Sequence, residues 1–256
     1  MQLVALVTGG SRGIGRAIAE ALAGRGAAVA VVARGEEAVK RAAAELADRF
    51  GVRSLGIRAD LALAADCAAA VARCSAELGP PSVLVHNAGT APSARLEDSD
   101  DAMLDEVLDL HVRAAFRLVR AALPGLRAAK AGTVVLLGST AGLRGYPFTA
   151  AYTAAKPGMV GFARALAAEW AREPALRAFV VCPGFVDTDI TRDAARAVAA
   201  RGRKSAEELL SAFAAQNRIG RLHRPDEVAD AVVRLVFDRP PGTVLDLDSP
   251  HPTLSP

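Results

Sequence analysis

A chain of 256 residues, 52% hydrophobic and 23% charged, is long enough to bury the core of one large α/β domain. Its longest apolar runs, such as Val29–Ala33 and Thr133–Leu137, are strand-sized and fall far short of the roughly 20 residues that span a bilayer. The net charge of +3 comes from scattered arginines that pair with acids, as Arg41 does with Glu45, and only two Tyr and one Trp are available to stack on bases. These features argue against a membrane protein and against nucleic-acid binding.

The N-terminus and the cysteines indicate the compartment. The chain begins with the strand-like run Leu3–Val7, without a charged leader or a cleavage site, so we expect a cytoplasmic protein. The three cysteines form no CxxC pair. We therefore expect small core residues rather than a disulfide framework, and no metal site.

Apolar strand-like runs alternate with Ala-rich helical stretches along the chain. Strands are predicted near 3–7, 28–33, 53–58, 82–86, 132–138, 177–182 and 243–247, and helices near 13–25, 36–49, 63–78, 100–129, 151–172 and 225–237. This alternation predicts βαβ units with right-handed crossovers, and the continuously apolar strands indicate a sheet that is covered on both faces. We predict a single α/β domain over residues 1–256, with a doubly wound, seven-stranded parallel sheet and helices on both faces.

The stretch at about 184–220 interrupts this rhythm. It is rich in arginine between Arg192 and Arg203 and carries a weak helix signal from Ser205 to Ala215. An insertion after the carboxyl end of a strand in a doubly wound sheet lies over the ligand crevice. We interpret it as a substrate lid, with a plain surface excursion as the alternative.

The first predicted strand leads into Thr8-Gly9-Gly10-Ser11-Arg12-Gly13-Ile14-Gly15 and then into a helix. Glycines allow the backbone to approach a ligand closely, and the helix N-terminus behind them favours an anion. Because the pattern lies between a first strand and a first helix, it predicts a dinucleotide site. The expected contacts are Gly9, Ser11, Arg12, Gly13, Ile14 and Gly15. A tight turn without a ligand is the alternative, and a Walker-type loop is excluded because no Lys-Ser/Thr pair follows.

The residues at the ends of the second and third strands bear on the choice of cofactor. An acid after the second strand would bind the ribose 2′-hydroxyl and repel a 2′-phosphate, but this chain has Arg34 there. Arg34, with Arg12 in reach, favours NADP(H) over NAD(H), unless it is a solvated loop residue. Asp60 suits the adenine amino group, and it would look the same as an ordinary turn residue.

A second constellation follows the fifth strand. Ser139 lies thirteen residues before Tyr152, and Lys156 lies four residues after it, on the same helix face. An ammonium beside a phenol lowers the pKa of the phenol, which makes Tyr152 usable as a general acid or base. Ser139 can donate to a carbonyl oxygen where negative charge develops. We predict Ser139, Tyr152 and Lys156 as catalytic residues.

Together these motifs resemble the short-chain dehydrogenase/reductase (SDR) family over residues 3 to about 247. The resemblance is carried by Thr8–Gly15, Asp60-Leu61, Asn87-Ala88-Gly89, Ser139, Tyr152–Lys156 and Pro183-Gly184 with Thr188. It implies a Rossmann fold, an oxidoreductase acting on CH–OH groups and a homotetramer or homodimer formed through the helices carrying 100–129 and 151–172.

The resemblance also implies several cofactor contacts. Asp60 and Leu61, together with Asn87, Ala88 and Gly89, should line the adenosine side, and Tyr152 and Lys156 should reach the nicotinamide ribose. Pro183, Gly184, Val186 and Thr188 should contact the nicotinamide amide and the pyrophosphate.

Three departures from the family pattern stand out. His111 occupies the place of an Asn that helps to hold a proton-relay water. We expect His111 to serve this relay and to add pH sensitivity to it, with a packing histidine as the alternative. Asp248-Ser249-Pro250 replaces the usual Asp-Gly-Gly, which puts the C-terminal subunit contacts in doubt but not the active site. Pro157 follows the lysine, and we expect it to lie early in its helix, where a missing N–H costs less.

The substrate is the least determined feature, because fold does not select it. The segments Cys182–Thr191 and Arg218–Leu222 resemble members acting on 3-oxoacyl or 3-hydroxyacyl thioesters, and the arginines of 192–203 could meet a pantetheine phosphate or an acyl carrier protein, or simply face solvent. A polyketide, sugar or steroid-like carbonyl is an alternative substrate. A cofactor-binding regulatory protein with little turnover, or a lyase or epimerase that uses the tyrosine, is an alternative function.

Overall fold

The computed structural model describes residues 2–199, 202 and 204–256. One sheet runs through the molecule in the strand order β3-β2-β1-β4-β5-β6-β7-β8. The strands are β1 Val4–Thr8, β2 Ala28–Ala33, β3 Ser54–Arg58, β4 Val83–His86, β5 Gly132–Leu137, β6 Leu176–Cys182, β7 Val244–Asp246 and β8 Leu254–Ser255. The first seven pair in parallel, which confirms the predicted doubly wound topology.

The eighth strand was not predicted. Leu254–Ser255 pairs antiparallel with β7, with Leu254 opposite Leu245 and Ser255 opposite Val244. Two residues are too short to show an alternating pattern, so the sequence gives no signal for this strand. Its hydrogen bonds cover the outer edge of β7, which would otherwise expose unpaired backbone groups.

Nine helices flank the sheet in the described part of the chain. They are α1 Gly13–Gly24, α2 Glu36–Phe50, α3 Ala64–Glu77, α4 Asp101–Leu108, α5 Ala114–Ala128, α6 Ala150–Glu169, α7 Asp189–Ala199, α8 Ala206–Gln216 and α9 Pro225–Asp238. Alternate strand residues enter two cores: Leu6 and Leu84 pack with α3, α5 and α6, whereas Val7 and Val85 pack with α1, α2 and α9. This explains why the strands are apolar at every position. No described helix is both long enough and apolar enough to cross a membrane.

The long helix predicted over 100–129 is divided by a π-helical turn. Asp109–Arg113 forms this turn between α4 and α5, and His111 lies inside it. π-Turns widen the hydrogen-bond ladder and leave a carbonyl free for another donor, and they are frequent at functional sites. Periodicity cannot reveal such a turn because only one residue is added to the helix.

The structure also tests the expectations about Pro157 and about the three cysteines. Pro157 lies well inside α6 rather than in its first turn, so the expectation that its missing N–H costs little is wrong. Buried Met159 and Val160 nevertheless hold the helix onto the sheet. The three cysteines are free and buried, as expected for small core residues.

Candidate active site

A cleft of about 1110 Å³ opens at the carboxyl ends of the strands, where the strand order reverses between β1 and β4. One end is lined by the glycine loop and Arg34, and the other by Met103, Phe148, Ile190 and Val198. The two ends differ in chemistry, since the first offers backbone N–H groups and cations and the second offers apolar side chains.

The glycine loop forms a cradle that side chains would fill. Gly9 and Gly13 have φ of +64° and +55°, and a Cβ on Gly9 would lie 2.7 Å from the Asn87 amide nitrogen. A Cβ on Gly15 would collide with the Gly9 carbonyl. Helix α1 begins at Gly13 without a side-chain cap from Arg12, so its first N–H groups stay available for an anion.

The turn after β4 is bonded to this loop. Thr8 Oγ1 accepts from the backbone N–H groups of Asn87 at 3.0 Å and Ala88 at 3.1 Å. Asn87 Nδ2 in turn donates to the carbonyls of Thr8 at 3.2 Å and Gly9 at 3.3 Å. A Cβ on Gly89 would overlap the imidazole of His111, so glycine is required there. The predicted Asn87-Ala88-Gly89 segment therefore lies between the glycine loop and His111.

The predicted cofactor-selecting residues occupy different environments. Arg12 and Arg34 both line the cleft, and neither guanidinium has an ion pair or a hydrogen bond within the described residues. Asp60 instead makes a local turn: its carboxylate accepts from Ala62 N–H at 3.1 Å, while Leu61 beside it lines the cleft. The arginines therefore remain available for a phosphate, whereas the Asp60 carboxylate is engaged by the chain itself.

The segment after β6 brings further predicted residues to the glycine loop. The Pro183 carbonyl accepts from Thr140 N–H at 2.9 Å, next to Ser139. A Cβ on Gly184 would collide with the Asn217 side chain, and Val186 forms an isolated bridge with His223. The Thr188 methyl lies 3.6 Å from the position that a Gly13 Cβ would take. Thr188 is thus placed beside the start of α1.

Ser139, Tyr152 and Lys156 converge at the carboxyl end of β5. Ser139 follows β5 and caps a short 3₁₀ turn, accepting from Ala141 N–H at 3.1 Å. Tyr152 and Lys156 lie one turn apart on α6, with the ammonium 5.3 Å from the phenol ring centre. Lys156 is 4% exposed and donates to the Leu137 carbonyl at 2.7 Å.

The electrostatics of the pair differ from the sequence prediction. Burial raises the pKa of Tyr152 to about 12, and the Ser139 hydroxyl offsets this only in part. Burial also lowers the pKa of Lys156 to about 7. The prediction that Lys156 lowers the pKa of the phenol is therefore wrong for this structure, because the loss of hydration on burial is the largest influence on Tyr152 and raises its pKa. Tyr152 is protonated at neutral pH and so is suited to act as an acid.

Two buried histidines stand behind Lys156. Thr8 Oγ1 already accepts from two N–H groups, so it donates its proton to His86 Nδ1 at 3.0 Å, and His86 Nε2–H donates to the Leu110 carbonyl at 3.0 Å. His111 Nε2 lies 2.7 Å from the Thr90 carbonyl and 3.3 Å from the Thr90 N–H. Because a carbonyl oxygen can only accept, the shorter contact makes Nε2 the donor and leaves Nδ1 with a lone pair. Burial lowers the pKa of His86 to about 4 and that of His111 well below its usual range, so both rings are neutral. The expectation that His111 adds pH sensitivity is therefore wrong, because a buried imidazole resists taking up a charge.

Comparisons with known proteins agree with this geometry. The model of the short chain dehydrogenase family matches residues 3–199. A 3-oxoacyl-[acyl-carrier-protein] reductase, FabG, of Escherichia coli is 34% identical over 235 residues, covering 92% of this chain and 90% of the relative. This chain belongs to the short-chain dehydrogenase/reductase family. It is therefore an SDR enzyme, an oxidoreductase.

Two solved SDR structures are also similar. A variant of actinorhodin polyketide ketoreductase with NADPH has a TM-score of 0.86 at 34% identity, covering 92% of this chain and 90% of that chain. L-Sorbose reductase from Gluconobacter frateurii, complexed with NADPH and L-sorbose, has a TM-score of 0.87 at 30% identity, with 93% and 90% covered. A polyketide reductase and a sugar reductase are thus about equally similar to this SDR.

Several residues near the site were not predicted from the sequence. His86 ends a buried strand next to Asn87, and a polar residue at that position was the available signal. Arg144 donates to the Tyr146 hydroxyl and to the Asp248 carboxylate, although 104 residues separate Arg144 from Asp248. No local pattern in the sequence indicates a contact of this range. Asp248 is the residue of the usual Asp-Gly-Gly that this chain keeps, so the contact does not test the altered Ser249-Pro250, and the expectation that they leave the active site unaffected stays a prediction.

Proposed function

We propose that this SDR is an NADPH-dependent carbonyl reductase whose substrate is a 3-oxoacyl thioester, with the 3-hydroxyacyl thioester as the product of a reversible reaction. The observation that carries the proposal is the convergence of Ser139, protonated Tyr152 and buried Lys156 at the carboxyl end of β5, together with the glycine cradle that lines the cleft. When bound, the cofactor would supply the hydride. The side chains would bind the substrate, stabilise the developing charge and supply the proton.

The roles follow from the protonation states. Tyr152, whose pKa is raised to about 12, holds a proton at neutral pH and gives it to the substrate oxygen as the carbonyl is reduced. Ser139 donates a hydrogen bond to the same oxygen, where negative charge develops. Lys156 would hold the nicotinamide ribose, and its ammonium would return a proton to Tyr152. His111 Nδ1, with its lone pair free, accepts a hydrogen bond in the relay behind Lys156.

The cradle fits a dinucleotide with a 2′-phosphate. Gly9, Ser11, Arg12, Gly13, Ile14 and Gly15 would hold the pyrophosphate, and Leu61, Asn87, Ala88 and Gly89 would line the adenosine. Pro183, Gly184, Val186 and Thr188 would contact the nicotinamide half. Arg34 and Arg12 line the cleft without acidic partners in the described chain, and such cations would bind a 2′-phosphate through charge-assisted bonds. Asp60 would contribute to this site only by forming its local turn, because its carboxylate accepts from Ala62 N–H.

The opposite end of the cleft supports an acyl group in particular. Phe148, Ile190 and Val198 line it and are 59%, 45% and 39% exposed, so an apolar chain bound there would remove their surface from water. Helices α7 and α8, within 184–220, then act as the substrate lid. Of the arginines expected to meet a pantetheine phosphate, Arg192 and Arg196 instead pair with acids, and Arg201 and Arg203 lie outside the described residues. The acyl group would therefore be carried on coenzyme A or a carrier protein without help from Arg192 and Arg196.

Helices α5 and α6 also offer a candidate surface for the subunit association that the family resemblance implies. Phe116 of α5 is 52% exposed and lies 5.7 Å from the ring of Phe162 of α6. Burying this pair against its symmetry mate would form a homodimer, and two such dimers would form the proposed homotetramer.

The test is a screen of carbonyl substrates that follows the absorbance of NADPH, including 3-oxoacyl thioesters, L-sorbose and a cyclic diketone. Tight NADPH binding without turnover of any carbonyl would favour the regulatory alternative. Turnover of L-sorbose but of no thioester would move the substrate to the sugar class.

Arg34→Ala tests the cofactor. We expect it to weaken NADPH binding on the order of tenfold to hundredfold and NADH binding little, because charge-assisted hydrogen bonds to phosphate contribute about 1.5–3 kcal/mol. Arg73→Ala, which removes an exposed arginine of α3 away from the cleft, is the matched control. Equal losses for both cofactors would contradict the NADP assignment.

A further inference from the structure

One carboxylate near the C-terminus is completely buried in a ring of donors. Asp248 has no exposed surface, and its Oδ2 accepts from the Arg144 guanidinium at 3.1 Å and from Arg218 N–H at 3.2 Å. Its Oδ1 accepts from Arg218 N–H at 3.0 Å and lies 3.3 Å from His223 Nε2. A buried carboxylate needs such donors, because an unpaired one would cost several kcal/mol.

The Arg144 side of this ring leads to Ser139. Arg144 Nε donates to the Tyr146 hydroxyl at 2.8 Å, and that hydroxyl lies 2.7 Å from Thr140 Oγ1. Thr140 follows Ser139 and opens the 3₁₀ turn that Ser139 caps. The β5–α6 loop, residues 138–149, is therefore tied to Asp248 through two of its own side chains.

The other side of the ring leads to the lid. Arg218 follows Asn217, whose side chain accepts from Phe185 N–H at 2.7 Å and donates to the Phe185 carbonyl at 2.8 Å. The Phe185 ring stacks on Phe213 of α8 at 4.7 Å between centres and meets the Tyr146 ring edge-on at 5.9 Å. Both ends of the 184–220 segment thus meet the β5–α6 loop next to Asp248.

We propose that Asp248 is a positioning residue for the substrate half of the active site. Its carboxylate holds Arg144 of the β5–α6 loop and the backbone at Arg218 in one arrangement, and so fixes Ser139 relative to the lid. The residue touches neither substrate nor cofactor in this role. The effect on turnover rests on the proposed function, whereas the effect on the order of the two segments does not.

Asp248→Asn is the sharpest variant because it keeps the shape and removes the charge. Arg144, Arg218 N–H and His223 all present donors to the carboxylate, so either orientation of the amide places its NH₂ group against another donor. Glu173→Gln is the matched control: Glu173 forms a bidentate pair with Arg127, 2.9 Å and 3.0 Å long, and precedes the amino end of β6, whereas Asp248 follows the carboxyl end of β7.

The primary measurement is hydrogen exchange in the full-length protein. With Asp248→Asn we expect faster exchange in peptides covering 140–149 and 214–223 together, about tenfold or more, with no change in β5 at 132–137. The control should leave all three unchanged. Unchanged exchange in the first two peptides, or a uniform rise across the sheet, would overturn the proposal.

Kinetics supply the second readout. The value of kcat should fall on the order of tenfold to hundredfold in Asp248→Asn, as expected for misplacement of a reacting group, with little change in NADPH affinity. Arg144→Gln, at a partly exposed side chain, should reproduce both effects, and the double variant should be no worse than either single one. Fully additive losses in kcat would show that Asp248 does not act through Arg144. If the wild-type protein reduces no carbonyl, the proposed function fails while the exchange result still decides the role of Asp248.

Discussion

At the cofactor half of the cleft, Thr8, Gly9 and Asn87 are joined by hydrogen bonds across two neighbouring strand ends. At the substrate half, Ser139 depends instead on Arg144, Asp248 and the lid. The first arrangement is built from adjacent parallel strands whose register is already fixed by the sheet. The second joins segments far apart in the chain through side chains. A rigid cradle for a common cofactor can therefore coexist with a substrate half whose geometry depends on a few specific contacts.

Among the variants that separate the two halves of the cleft, Tyr152→Phe should have the largest effect on kcat. Removing the proton donor should lower kcat for carbonyl reduction about 10²–10⁴-fold, the usual size of general acid catalysis. NADPH affinity, carried mainly by the cradle, should change much less. Parallel measurement of kcat and of NADPH binding by fluorescence checks this. If kcat stayed within threefold of the wild-type value, Tyr152 would not be the acid.

The cofactor half was largely predictable from the sequence and the substrate half was not, for physical reasons. Glycines at positive φ and close approaches leave a local signature, so Gly9, Gly13 and Gly15 could be identified from the chain alone. The ring around Asp248 has no such signature, because its partners lie 30 and 104 residues away. The π-turn at His111 and the burial that sets the pKa of Lys156 likewise exist only after folding.

The second-largest effect is expected for Lys156, whose titration should make the free energy of unfolding depend on pH. Burial lowers its pKa to about 7, while the unfolded chain keeps an ordinary lysine near 10.5, so the unfolded state binds more protons between these values. The free energy of unfolding should therefore rise as pH increases from about 7 to about 10, and fall to a lower plateau below that window. Lys156→Met should remove this dependence. Urea denaturation at several pH values, with Lys130→Met at an exposed position of the same chain as the control, measures it. A wild-type profile equal to that of Lys156→Met would contradict the low pKa.

His111→Asn should have the smallest effect on kcat. This variant tests whether the π-turn that carries His111 only supports the cofactor half of the cleft or also takes part in proton transfer. His111 Nε2–H is bonded to the Thr90 carbonyl, and its ring meets Tyr152 edge-on at 5.5 Å. If the histidine only replaces an amide in the proton relay, asparagine restores the group usual in the family, and kcat should stay similar or rise. The kcat–pH profile should also keep its shape, because the neutral imidazole does not titrate in the working range.

His111→Phe, which keeps a ring without a polar atom, serves as the comparison and should lower kcat if a hydrogen-bonding group is needed. A hundredfold loss in His111→Asn would instead give the histidine a catalytic role that an amide cannot fill, and would place the π-turn with the substrate half of the site.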